Sequence, residues 1–271
     1  METNINPVVI PNSQRRIIVS RGREYHIFIS VPLKTAPQAG FPVIYLLDAN
    51  SVFGTMTETI RAQSRFPERT GVEPSIVVGI GYDTDAPFHT SRHYDFTYPV
   101  PHHELPPHPD DQSWPEQGGS SAFLHFIEDE LKPAMERDFP IDTSRQTLLG
   151  HSLGGLFVLS ALFAKPYSFQ TYIAGSPSIY WNEKRLLEQE RVLPSLLKDG
   201  KPIRLLLTIG ELERGAEGQN DEKIEAMAAR LSKLPNHRLS VTYKKFEDES
   251  HISVLPLLMS QGIRFATRSH S

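Results

Sequence analysis

Gly150-His151-Ser152-Leu153-Gly154, followed by Gly155, is the segment of the chain with the clearest chemistry. A serine with glycine two positions away on each side can sit on a turn too tight for flanking Cβ atoms. Its hydroxyl then stands free to attack a carbonyl carbon. The surroundings are those such a turn needs. The short apolar run Thr147-Leu148-Leu149 leads in, and the apolar helical stretch Leu153–Ala164 leads out. The start of that helix brings the backbone N–H of Leu153 towards a developing oxyanion. The plain alternative is a glycine-rich turn with an incidental serine, and the match of both flanks weighs against it.

A serine hydroxyl is a weak nucleophile without an adjacent base. In chains with this turn the order is serine, acid, histidine. Of the eleven histidines, His237, His251 and His270 lie far enough downstream. His270 is in a polar tail. His237 follows Pro235-Asn236 and precedes a strand, at the wrong end of it. His251 follows the last strand pattern, Leu239–Phe246, and precedes the last helix, at the sheet edge shared with Ser152. His251 is the expected base. The acid that orients it should follow the run Ile203–Ile209, where Glu211, Glu213 and, less well, Glu217 are candidates. Glu211 and Glu213 share parity along the chain, so spacing leaves both open.

The second oxyanion donor should follow the run Phe41–Leu47, at Asp48-Ala49-Asn50, with the backbone N–H of Asn50 preferred and Ala49 close behind. His151, next to the serine, is expected to pack beside the turn, because neighbouring side chains diverge there. His102, His103 and His108 lie among prolines without the spacing of a metal site, so no metal is assigned to the protein.

The elements that must hold these residues follow from hydrophobic patterning. Arg15–Ser20 and Glu24–Val31 flank Arg21-Gly22-Arg23 and read as a hairpin. Phe41–Leu47, Ser75–Ile80, Thr147–Leu149, Thr171–Ala174 and Ile203–Ile209 are continuous apolar runs, as expected of strands buried on both faces. Ser120–Arg137, Leu153–Ala164, Asp221–Leu234 and Ile252–Phe265 carry helical patterns. The alternation predicts an α/β fold, a mostly parallel central sheet with antiparallel N-terminal strands and helices on both faces; the Gly150–Gly154 turn between strand and helix makes the α/β-hydrolase fold the expected form of it. Residues 1–271 are expected to form a single domain, with a proline-rich loop insertion around 82–119 that fits no element.

The chain has 271 residues, a net charge of -4 and no cysteine. Disulfides and thiolate chemistry are therefore excluded, and nucleic acid is not an expected partner. No apolar run reaches the roughly 20 residues of a membrane helix, and Met1–Pro11 lacks the pattern of a signal peptide, so a cytoplasmic location with no membrane partner is expected.

Beyond these readings, the chain resembles the esterase-D-like branch of the α/β hydrolases, and within it the siderophore esterases that open ferri-bacillibactin- or enterobactin-type trilactones. The resemblance rests on Pro42-Val-Ile-Tyr-Leu-Leu-Asp48, Val77-Val-Gly-Ile-Gly-Tyr82, Arg92-His-Tyr-Asp95-Phe-Thr97, Phe126-Ile-Glu-Asp-Glu-Leu-Lys-Pro133 and Gly150–Gly155. Further downstream it includes Ser176-Pro-Ser-Ile-Tyr-Trp181, Ile209-Gly-Glu-Leu-Glu213, Glu249-Ser-His251 and Val254-Leu-Pro256. It implies a Ser–His esterase acting on a small-molecule ester, a ferric catecholate siderophore, whose iron belongs to the substrate; no cofactor is implied. It selects Glu213 as the acid, three residues after Gly210. It also places Arg92 beside the site, either meeting an anionic substrate or forming a salt bridge to Asp95. The chain departs from the family at Ala49, where glycine is common, and at Tyr98, which precedes Pro99. A general carboxylesterase or thioesterase, or a binding module without turnover, are the competing expectations.

Overall fold

Arg21 and Gly22 both have positive φ, 50° and 79°, which turns the chain tightly between two strands. Those strands, Ser13–Ser20 (β1) and Arg23–Ser30 (β2), pair antiparallel with Ser20 opposite Arg23. This hairpin is the first element of the computed structural model, which describes residues 8–108, 112–197, 200–213, 219–234 and 238–268. His237, His270 and Glu217 lie outside the described residues.

Phe41–Leu46 (β3) leads through Asp48 into Ala49–Gln63 (α1), then Pro67–Thr70 (α2) and Ile76–Gly81 (β4). Arg92–Phe96 (α3) and a 3-10 turn at His102–Glu104 lie within the segment expected to be structureless. Ser120–His125 (α4) and Lys132–Asp138 (α5) are joined by a π-helical stretch, Phe126–Leu131, so the helix predicted over Ser120–Arg137 is present with its middle widened. The rest alternates: Ile141–His151 (β5), Leu153–Ala164 (α6), Thr171–Gly175 (β6), Glu183–Leu196 (α7), Ile203–Gly210 (β7), Asn220–Leu231 (α8), Leu239–Phe246 (β8) and Leu255–Thr267 (α9).

The strands form one sheet in the order β1-β2-β4-β3-β5-β6-β7-β8. Pairs from β4–β3 to β7–β8 are parallel, whereas β2 meets β4 antiparallel. Side chains alternate between the two faces of a strand, and both faces are buried. Val43 and Tyr45 join a core with Phe157, Leu159 and Leu162 of α6, while Ile44 and Leu46 join another with Val52, Phe53 and Met56 of α1 and Leu258 and Met259 of α9. Helices therefore cover both faces, which explains why the strands read as continuous apolar runs.

Helices α1 and α7 are absent from the sequence expectation. The buried residues of α1, Ala49, Val52, Phe53, Met56 and Ile60, do follow helical spacing. Gly54 and three threonines mask that signal through their poor helix propensity. In α7 the internal Pro194 argues locally against a helix, yet Leu186 and Leu193 anchor it in the core.

Trp114 and Trp181 meet edge to face with centroids 4.5 Å apart, and His93 lies 5.5 Å from each ring. Trp114 Nε1 donates to the carbonyl of Pro106. The proline-rich segment is thereby tied to the turn that follows β6.

Candidate active site

Ser152 lies between β5 and α6 with φ 60° and ψ -122°, a conformation that costs a non-glycine residue strain. The flanking glycines are required by contact. A Cβ on Gly150 would lie 2.4 Å from the carbonyl oxygen of Gly154, and one on Gly155 2.8 Å from that of Gly175. The strained turn is held from outside: the Ser152 N–H donates to the Gly175 carbonyl at 2.9 Å.

The loop between β8 and α9 brings His251 across 99 positions of sequence, and its Nε2 lies 3.0 Å from Ser152 Oγ. Its Nδ1 lies 2.7 Å from Glu213 Oε2. The other carboxylate oxygen of Glu213 accepts from Ser176 Oγ at 2.7 Å and from the Gly210 N–H at 2.8 Å. Burial pushes the Glu213 carboxyl up, but the bonds from His251, Ser176 and Gly210 outweigh it and hold the group below the usual carboxylate range. Glu213 is therefore an anion placed to orient a histidine with Nδ1 protonated and Nε2 free to accept.

Glu211 points elsewhere and accepts from the Asp248 N–H at 3.3 Å. Both glutamates sit in a 3-10 turn, Glu211–Glu213, not in an extended strand. Residues two apart in such a turn diverge by about 240°, so the parity that left them equivalent does not apply. Ser176 and Ser178, which sequence reasoning gave no role, complete the surroundings. Ser176 is fully buried with φ 40°. Ser178 Oγ lies 3.2 Å from Ser152 Oγ.

Leu153 is the first residue of α6 and Asn50 the second of α1, positions where backbone N–H groups lack an intrahelical acceptor. The Asn50 side chain is a clamp. Its Nδ2 donates to the carbonyls of Tyr82 and Thr84 at 3.0 and 2.9 Å, and its Oδ1 accepts from the Tyr82 N–H at 2.9 Å. Gly81 makes room for it, since a Cβ there would stand 2.3 Å from Asn50 Oδ1. Ala49 packs its Cβ against Gly79, at which a Cβ would lie 2.7 Å away.

Arg92 forms a salt bridge, but not with Asp95. Its Nε and Nη2 reach Asp48 Oδ1 and Oδ2, each at 2.9 Å. Asp95 instead accepts from Tyr25 and Tyr82 at 3.1 and 2.9 Å. Burial raises the Asp95 carboxyl to about 6 despite those two donors. Of the two readings of Arg92, the salt bridge to Asp95 is the one not formed: Asp48 takes the guanidinium, and the tyrosine hydroxyls take Asp95. Arg92 still reaches the wall of the cleft, about 250 Å³, that also holds Phe88, His93, His151, Ser152 and His251.

His151 packs against His251, ring centroids 4.6 Å apart, as expected for a residue beside the turn. Burial, with the charges of His251 and Arg92, lowers it to about 3. His93 is lowered to about 4 by burial and by Arg92 and His108.

Among the described residues one group has metal-ligating donors close together: Glu24, His26 and Asp83. It shares no residue with the Ser152 cleft. His26 Nε2 lies 3.0 Å from Glu24 Oε1, and its buried Nδ1 has no partner. A metal-bound histidine normally donates its second N–H to an acceptor, and that support is missing here.

The sheet, the strained serine turn and the histidine loop are those of the α/β-hydrolase fold. Residues 18–252 match the family model described as "Putative esterase", and the chain belongs to this family of carboxylic ester hydrolases. It is 51% identical over 264 residues to the ferri-bacillibactin esterase BesA of Bacillus subtilis (strain 168), covering 96% of this chain and 91% of that one. It is 36% identical over 272 residues to a siderophore enterobactin esterase of Emericella nidulans, covering 89% and 88%. The crystal structure of the BES protein from Bacillus cereus superposes with a TM-score of 0.91 at 40% identity, over 97% of this chain and 99% of that one. Among the described residues no helix is long and apolar enough to cross a membrane.

Proposed function

We propose that the protein hydrolyses the ester bonds of a catecholate siderophore trilactone of the ferri-bacillibactin type, with Ser152 as nucleophile, and so helps release iron. The observation that carries this reading is the unbroken relay from Ser152 Oγ through His251 to Glu213, in a chain half identical to a ferri-bacillibactin esterase. Glu213 keeps the His251 proton on Nδ1, so Nε2 takes the Ser152 proton as Oγ bonds to the lactone carbon. The backbone N–H groups of Leu153 and Asn50 receive the oxyanion; losing such a donor costs about 3–4 kcal/mol of transition-state stabilisation. Collapse expels the alcohol oxygen of the neighbouring unit of the trilactone, which takes the proton from Nε2. Water then repeats the sequence on the acyl-enzyme.

Iron enters as part of the substrate, and the reaction needs no cofactor. The cleft, at about 250 Å³, is below the 300–1,000 Å³ of sites that engulf a drug-sized ligand. It suits one lactone edge, with the remainder of the tris-catecholate outside. The test is product analysis of ferri-bacillibactin and its iron-free form. Linear trimer, dimer and monomer should appear with the wild type and not with Ser152→Ala. Rapid turnover of p-nitrophenyl acetate with no action on any trilactone would replace this reading with that of a general carboxylesterase, which the modest cleft also suits.

A further inference from the structure

Among the described residues Ser152 Oγ has two hydrogen-bonding neighbours, and the mechanism above uses only one. The second is Ser178 Oγ at 3.2 Å. Ser178 is 1% exposed and lies on the turn between β6 and the 3-10 helix Ile179–Trp181. Its position is held by its own backbone, whose N–H donates to the Ser152 carbonyl at 3.1 Å. The Ile179 N–H next to it is held by Asn220 Oδ1 at 3.1 Å.

The direction of the bond between the hydroxyls follows from proton counting. With Glu213 ionised, the His251 proton sits on Nδ1 and Nε2 accepts. Ser152 has one hydroxyl proton, and it goes to Nε2. The bond between the serines therefore has Ser178 as donor and Ser152 Oγ as acceptor.

We infer that Ser178 is a further catalytic residue, a fixed hydroxyl donor to the nucleophile's own oxygen. This rests on Ser152 being the nucleophile. In the resting enzyme the donor occupies one lone pair of Oγ and leaves the other aimed at the substrate. In acylation Oγ loses its proton to Nε2 and bonds to the carbonyl carbon, while the Ser178 proton stays where it is. In deacylation the water proton moves to Nε2, water oxygen bonds to the acyl carbon, and the C–Oγ bond breaks. Oγ departs with the bonding pair and then takes the proton from Nε2. Charge develops on Oγ both as the C–Oγ bond forms and as it breaks, and with an activated aryl ester, whose acylation is fast, loss of the Ser178 donor shows in deacylation. Hydrogen bonds to charged groups are worth more than neutral ones.

The test uses p-nitrophenyl acetate in rapid mixing, which separates the burst of acylation from steady-state deacylation. Ser178→Ala should lower kcat about tenfold, lower KM with it as acyl-enzyme accumulates, and bring the burst towards one product per site. Ser178→Cys, close in shape but a weak donor, should do the same and serves if the alanine variant fails to fold. Wild-type kcat in either variant overturns the inference. So does equal slowing of both phases with a lowered Tm, which would make Ser178 a packing residue. Ser152→Ala is the control: if it retains turnover, the nucleophile assignment fails, whereas an inactive Ser152→Ala beside an unaffected Ser178 variant removes only the donor role.

Discussion

Arg92 and Asp48 meet fork to fork, Nε on Oδ1 and Nη2 on Oδ2, with both side chains buried beneath the mouth of the cleft. Asp48 has φ 51° and is the residue from which α1 departs. The pair thus links the proline-rich segment to the start of α1, which carries the Asn50 N–H. Burial alone would lower the Arg92 guanidinium, but Asp48 outweighs it and raises the group.

Breaking this pair should therefore be costly. Arg92→Ala leaves a buried carboxylate unpaired and is expected to destabilise the fold by about 3–5 kcal/mol. Arg92→Lys keeps the charge but not the two-pronged bond, and should fall between. Urea denaturation of the three proteins checks this; an alanine variant within 1 kcal/mol of wild type would show that the pair does not hold the loop.

The two glutamates of the 3-10 turn should separate cleanly. Glu213→Gln replaces the acceptor of the His251 Nδ1 proton and is expected to lower kcat about a hundredfold or more. Glu211→Gln touches only the bond from Asp248, and kcat should stay within about twofold, as for an ordinary surface change. Steady-state kinetics on one aryl ester are sufficient, and a reversed order would reassign the acid.

The Asn50 side chain can be tested although its backbone donor cannot be deleted. Asn50→Asp keeps the acceptor for the Tyr82 N–H but sets a carboxylate against the carbonyls of Tyr82 and Thr84. Both Asn50→Asp and Asn50→Ala should lower kcat more than they raise KM, because a displaced oxyanion donor matters most in the transition state. Intact kcat in both variants would move the second donor elsewhere.

Stability should fall as pH drops below about 6.5. His151 and His93 are lowered to about 3 and about 4 in the fold, while the unfolded chain takes up their protons near 6.5. The unfolded state thus binds more protons across that window, and each group contributes a slope of up to about 1.4 kcal/mol per pH unit. Denaturation at pH 7 and pH 5 measures it. His93→Gln should flatten the dependence, and an unchanged slope would clear His93 of the effect.

How far these features could be read from the chain depends on how local their causes are. Ser152 was legible because its turn, strand and helix are contiguous. His251 was legible because chain order and sheet polarity leave few places for it. The fork between Arg92 and Asp48 was not, because 44 positions separate the two and the carboxylate nearer in sequence, Asp95, is taken by Tyr25 and Tyr82. Residues Ser176 and Ser178 were visible only as letters in a segment that carries the family resemblance. Their roles depend on β6 lying between β5 and β7, which places that turn against both Ser152 and Glu213.

The chain has two tryptophans, and they touch each other beside His93, a residue of the Ser152 cleft. Nearly all of the molecule's ultraviolet emission therefore originates at one place, next to where substrate would sit. A catecholate bound there would absorb or quench that light, so the enzyme carries a built-in optical gauge of occupancy, and titration of the Ser152→Ala variant needs no attached label.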